Sequence, residues 1–328
     1  MKRSSRGPTI GAVAAEVGVA RSTVSRAFSQ PERLTEETVR RVLTAAAKLG
    51  YAPDPVAQAL STGRSKNIAL IVPDIANPFF PPLIRAAQRM AEASGYCVFL
   101  GDSDERPERE VDLVERFVPQ VEGLVLVSSR LTAAEIERLA LRRPLVLINQ
   151  EAQVPRVLID SGTGIAEGVA HLAALGHRHV VYVGGPANSW ANRQRQAALE
   201  RAARAHGLRV EVIAATQPDH EAARRLAPGL TARGATAAFA FDDLLAQGLL
   251  FGLLEAGIRV PEAFSVIGCD DVLGAMTYPA LTTVSGGSTE AAEIAIGLLT
   301  TSPPPAEACR VVATQLVLRG TTAPPLRR

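Results

Sequence analysis

Aromatic residues are scarce in this 328-residue chain, 4% of the total with a single Trp, so its cores must be built from Val, Leu, Ile and Ala. Lysine is nearly absent. Only Lys2, Lys48 and Lys66 occur, and none follows a glycine-rich loop as a phosphate-cradling motif requires. The three cysteines, Cys97, Cys269 and Cys309, have no CxxC spacing, which points to buried thiols and away from disulfides or a metal site. No apolar run approaches the roughly 18 residues of a membrane helix. The first residues, Met1 to Pro8, are basic and polar, unlike a signal peptide. These absences predict a cytoplasmic protein with no membrane contact, no metal and no cofactor.

Reaction centres are missing as well. Gly162-Thr163-Gly164 lacks the third glycine of a dinucleotide loop, and neither GxSxG nor HExxH occurs. His177 and His179 flank a strand entry, which suits a turn or helix-end role better than metal binding. Asp242-Asp243 and Asp270-Asp271 are adjacent in sequence, so their side chains diverge and form no catalytic dyad. A binding protein is expected, not an enzyme.

What is present is unevenly distributed. Residues 1–66 carry eleven Lys or Arg against five Asp or Glu, whereas the remainder carries 24 against 28. A basic head on a mildly acidic body favours a phosphate-facing surface in the head. Its first fifty residues read as three short helices, Ile10 to Val17 after Thr9, Arg21 to Phe28, and Glu36 to Leu49 after Thr35. Gly18-Val19-Ala20 has the length of a helix-turn-helix turn.

Beyond Lys66 the pattern becomes apolar strands alternating with amphipathic helices. Strands are expected at 67–72, 96–100, 123–128, 144–149, 157–160, 180–184, 210–213, 235–241 and 264–269. Apolar strands joined by helices make parallel sheets with right-handed crossovers. Nine strands suit two doubly wound lobes, with a ligand bound between them.

Residues Thr9 to Ala14 and Gly18 to Arg26 resemble the N-terminus of the lactose-repressor (LacI/GalR) family. The resemblance continues, in order, through Leu34-Thr35-Glu36-Glu37-Thr38, Leu49-Gly50-Tyr51-Ala52-Pro53, Val72 to Phe80, Leu175-Gly176-His177-Arg178, Gly184-Gly185-Pro186, Gly268-Cys269-Asp270-Asp271 and Leu281-Thr282-Thr283-Val284. It implies a small all-α helix-turn-helix head (1–53), a hinge helix and linker (54–66), and an α/β domain of the periplasmic-binding-protein type with two doubly wound parallel-sheet lobes. The first lobe would comprise 67–161 plus 289–318, and the second 162–288 plus 319–328.

By that resemblance Thr9, Arg21, Ser22, Thr23, Ser25 and Arg26 contact DNA. Arg21 and Ser22 open the recognition helix, and Arg26 one turn later suits guanine O6 and N7. Thr23 and Ser25 fit phosphate or backbone better than bases. Ala57 and Leu60 belong to the hinge, where Leu60 matches the family's minor-groove wedge. Ala20 stands at an N-cap where the family usually has Ser, which forfeits a capping bond.

In the ligand domain the resemblance places Arg195 as the effector anchor, with Asp242 and Asp270 reaching the cleft and Asn149 standing where an Asp is frequent. Phe79 and Trp190 are candidate stacking surfaces for an apolar sugar face, with Phe80 a weaker one, and Asp102, after a first-lobe strand, is a weaker candidate for reaching the ligand. The implied protein is a transcriptional regulator, a repressor or an activator, acting as a homodimer on palindromic double-stranded DNA. A small-molecule effector would control it, a sugar or polyol first and a purine or other metabolite next. The competing reading is a solute-binding protein of the transport type, which shares the two-lobed architecture but has no use for a helix-turn-helix.

Overall fold

A computed structural model describes residues 8–52, 65–214, 219–301 and 308–326. The chain divides into two compact units, Met1–Lys66 and Asn67–Arg328.

Among the described residues the first unit holds three helices, α1 (Ile10–Val17), α2 (Arg21–Ser29) and α3 (Glu36–Leu49), with a 3-10 turn at Pro31–Arg33. Thr9 caps α1, its hydroxyl accepting from the Ala12 amide, and Gly18 ends it in the left-handed conformation at φ 72°, which only glycine adopts without strain. Thr35 caps α3 by accepting from the Thr38 amide. Ala20 precedes α2 with no side-chain cap. Val13, Val17, Val24, Ala27, Val42 and Ala46 form the core. Phe28 meets Tyr51 edge-on beside it. Arg41 donates to the Val17 carbonyl at 2.8 Å, tying α3 to the end of α1.

The second unit contains two six-stranded sheets. The first has the order β11-β5-β4-β3-β1-β2, from β1 (Asn67–Val72), β2 (Cys97–Asp102), β3 (Gly123–Val127), β4 (Leu145–Ile148), β5 (Arg156–Asp160) and β11 (Cys309–Ala313), all parallel. In the second, β6 (His179–Gly184), β7 (Arg209–Ala214), β8 (Ala237–Ala240), β9 (Ser265–Asp270), β10 (Thr282–Ser285) and β12 (Leu316–Val317) have the order β12-β10-β9-β8-β6-β7. There β12 alone is antiparallel. The central strands are continuous apolar runs because helices cover both of their faces.

On the first sheet, α4 (Phe80–Ala93) and α12 (Ser288–Thr300) bury Leu83 and Ile296 on one face, while α5 (Pro107–Phe117) and α6 (Ala133–Ala140) bury Val114 and Ile136 on the other. On the second, α7 (Gly162–Ala174) and α8 (Trp190–Ala205) bury Ile165 and Leu199. Opposite them lie α9 (His220–Leu226), the short α10 (Pro228–Ala232) and α11 (Asp243–Glu255), burying Ala223 and Leu249. Helices α9 and α11 lie close enough that a Cβ on Gly248 or Gly252 would stand 2.2 Å from a carbonyl oxygen of α9.

All nine expected strands are present; β10, β11 and β12 were not anticipated. They are short, and two of them carry the chain between lobes. The chain crosses three times, between β5 and α7, between β10 and α12, and between β11 and β12. The last crossing lies at Thr314-Gln315, so Leu316 and Val317 already belong to the second sheet, ahead of the boundary expected at residue 318. Thr314 donates to the Asp160 carbonyl and the Gln315 amide to Ser285 Oγ, which stitches the three crossings together. The cysteines also depart from expectation. Only Cys269 is buried; Cys97 and Cys309 are exposed at the starts of the two outermost strands of the first sheet, each paired with a neighbouring strand on one side only.

Candidate functional site

In the first unit, α2 presents Arg21, Ser22 and Arg26 to solvent, with Thr23 and Ser25 half-buried and Thr9 exposed at the start of α1. Val24 and Ala27 form the opposite, buried stripe. The Arg21 guanidinium lies over Gly11 of α1, where a Cβ would come within 3.1 Å of Nη2. Thr9 spends one acceptor lone pair on its cap, which leaves its hydroxyl proton out of that bond. Ala57 and Leu60 lie outside the described residues.

In the second unit a cavity of 520 Å³ is lined from both lobes. Among the groups lining it is Arg195, 5% exposed. One guanidinium nitrogen donates to Asp270 Oδ1 at 2.5 Å, the other to the Phe241 carbonyl at 2.5 Å, and Nε to Ser161 Oγ at 3.3 Å. The guanidinium carbon also stands 4.8 Å from the centre of the Phe241 ring. The arginine expected to anchor the effector thus already has its charge matched by the Asp270 carboxylate.

Asp242 caps α11 by accepting from the Leu245 amide at 2.8 Å. Its second oxygen accepts from Asn77 Nδ2 at 3.1 Å, a bond from one lobe to the other. Burial, reinforced by nearby Asp270, pushes the Asp242 carboxyl up to about 6. Burial likewise pushes Asp243 to about 7, and this group serves the frame: it accepts from Thr283 Oγ1 and from the amides of Val272 and Leu273.

On the first-lobe wall, Asn149 is buried at φ 54° and accepts from the Ile159 amide through its side-chain oxygen. Phe79 and Phe80 both line the cavity, edge-on to each other with centroids 5.1 Å apart. The same wall carries Arg130, 4% exposed, whose Nε and Nη2 clasp both carboxylate oxygens of Glu105 at 2.5 and 2.8 Å.

Phe79, Asn149, Arg195, Asp242 and Asp270 therefore come together, and Trp190 does not join them. Trp190 lies against a separate 300 Å³ cavity with Gln194, Ala198 and Arg201. The helical period explains this correction. Trp190, Gln194, Ala198 and Arg201 share one face of α8, while Ala191 and Arg195 share the cleft face. Asp102 does not line the cleft either; it accepts from the amides of Ile75 and Asp104 and shapes the loop that does.

Asn77, Glu105 and Arg130 were not anticipated. Each follows a strand of the first sheet, and the rule that ligands bind beyond the carboxyl ends of parallel strands would have pointed to all three. His177, left aside as a turn residue, is buried between Thr236 Oγ1 and the Ala323 carbonyl and fastens the C-terminal segment to the second lobe. Among the described residues no group of three His, Cys, Asp or Glu is arranged to hold a metal, and no helix is long and apolar enough to cross a membrane.

Residues 9–54 match the model of bacterial regulatory proteins, lacI family, and residues 169–322 that of the periplasmic binding protein-like domain. Catabolite control protein A of Streptococcus mutans is 32% identical over 303 residues, spanning 89% of this chain and 90% of that protein. The transcriptional repressor CytR of Escherichia coli is 30% identical over 334 residues, 98% of each. The chain belongs to the LacI family. Its fold matches the lac repressor dimer bound to operator and the anti-inducer ONPF with a TM-score of 0.88 over 97% of this chain and all of that one, at 23% identity. The transcriptional regulator CelR in complex with cellobiose superposes at 0.70 over 96% of this chain and 99% of that one. Like other LacI-family members the chain is a DNA-binding transcriptional regulator.

Proposed function

We infer that this LacI-family protein represses transcription by binding a palindromic operator as a homodimer, and that a sugar or polyol held between its two lobes sets the operator affinity. The observation that carries the reading is the pairing, in one chain, of an exposed α2 face bearing Arg21, Ser22 and Arg26 with a two-lobed cleft lined by Arg195, Asp242 and Asp270. One recognition helix covers half a site, so twofold symmetry follows from the geometry of reading DNA. By the family resemblance Leu60 is the residue that enters the minor groove at the operator centre, and Ala57 is a further DNA-contacting residue. Operator DNA as the target makes the cytoplasm the place of action, and the protein has no catalytic role. A transport-type solute receptor shares the cleft but gives no purpose to a helix-turn-helix.

Effector and DNA binding are coupled, so each changes the affinity for the other by the same factor. Selection of DNA sites from a random pool with the purified protein tests the reading. Enrichment of a palindrome with a pyrimidine-purine step at its centre is expected, and Leu60→Ala should weaken binding to it. No enrichment, even with metabolite extract added, would overturn the assignment.

A further inference from the structure

We propose that Glu105 and Arg130 form a second effector-contacting ion pair, and that the two neutralised guanidiniums of the cleft restrict it to uncharged, hydroxyl-rich effectors and exclude phosphorylated or carboxylated ones. The proposal rests on the reading of the cleft as the effector site.

Each wall of the cavity carries one nearly buried arginine already matched by a carboxylate: Arg130 with Glu105 in the first lobe, Arg195 with Asp270 in the second. In the first pair the two parallel N–H bonds to Glu105 occupy the very edge of the guanidinium that a phosphate or carboxylate would use. Nη1 is held at 2.7 Å by the Ser128 carbonyl. The loop behind is equally fixed. Glu110, buried beneath it, accepts from the Arg130 amide at 2.9 Å, and Gln150 donates to the carbonyls of Ser129 and Leu131. Arg130 is therefore preorganised in its paired geometry and cannot swing free without abandoning several bonds.

The remaining charge points the same way. Six carboxyls line the cavity against two guanidiniums, and among the described residues no ion pair reaches Asp74, Asp219 or Asp242. An anion entering this space meets net negative charge with both cationic groups already satisfied. A polyhydroxylated ligand meets acceptors for its hydroxyl protons in the carboxylates, and each guanidinium retains N–H groups for its oxygens.

Inorganic phosphate is the probe, titrated into the full-length protein at constant ionic strength and followed by thermal melting. Wild type and Arg130→Met should bind phosphate equally weakly. Glu105→Gln, which releases the fork, should bind it roughly tenfold tighter, and the added Arg130→Met change should abolish that gain. Phosphate binding by wild type that is lost in Arg130→Met would overturn the proposal, as would a Glu105→Gln variant with no gain. Either comparison decides alone if one variant fails to fold. Neither involves DNA, so a failure here is distinct from a failure of the regulator assignment.

Discussion

The two units of the chain handle their functional side chains in opposite ways. In the head, Arg21, Ser22 and Arg26 stand in solvent on a helix whose buried stripe is formed by other residues. In the body, Arg195, Asp242, Asp270 and Arg130 are held by partners on several elements. A surface that waits for a large polyanion can leave its cations in water, where they cost little. A cleft that must recognise a small molecule holds its polar groups rigid, so function and stability there draw on the same bonds. Substitutions of these cleft side chains should therefore register in both stability and response, and those of Arg21, Ser22 and Arg26 in DNA binding alone.

The sharpest separation comes from Arg195→Ala. Removing it leaves Asp270 as an uncompensated buried charge, a loss of about 3–5 kcal/mol. Chemical denaturation should report that loss together with a missing effector response in any folded fraction; near-normal stability would show that the pair is dispensable to the fold. A second contrast uses pH. The Asp242 carboxyl titrates at about 6 in the folded protein against 3.8 ordinarily, so the native state holds the proton more tightly. Its contribution to stability is complete below about 3.8 and disappears as pH rises through about 6, a change on the order of 2–3 kcal/mol. Asp242→Asn keeps a good helix cap and should flatten that part of the denaturation profile, leaving the part due to Asp243, which extends to about 7. An unaltered profile would assign the dependence elsewhere.

Arg26→Ala in the head should cost about 1–3 kcal/mol of specific DNA binding and relax one operator position, with the melting temperature unchanged. A concurrent fall in melting temperature would erase the contrast between the units. The smallest expected effect is a gain. Ala20→Ser supplies the missing cap of α2 and should stabilise the head by about 1 kcal/mol, measured on its own unfolding transition.

Much of this was legible in the residues because long apolar runs and helical periods are strong local signals. Ile68–Val72 and Val180–Val183 could hardly be anything but buried strands, and Gly18-Val19-Ala20 could only be a tight turn. What escaped depended on distance in sequence. Strand β12 has two residues and exists because β10 offers an edge. Glu105 and Arg130 meet only because β2 and β3 both end at the same rim of the sheet, 25 residues apart along the chain. Trp190 was expected in the cleft as an aromatic stacking surface, although its five-residue separation from Arg195 on a helix turns the two side chains to different faces. Residue type and the family resemblance named Arg195 and Asp270 without revealing that they would be each other's partner.

The three crossings between lobes also bear on synthesis. The first sheet gains its outermost strand only when residues 309–313 emerge, long after its other five, and the second sheet takes its last strand three residues later. Neither lobe is a continuous stretch that could finish folding on the ribosome while the other is being made. The head is one continuous stretch ahead of both lobes, so it can fold before either of them is finished. A nascent chain should thus pass through a long interval in which its head is folded while its effector cleft is not yet assembled.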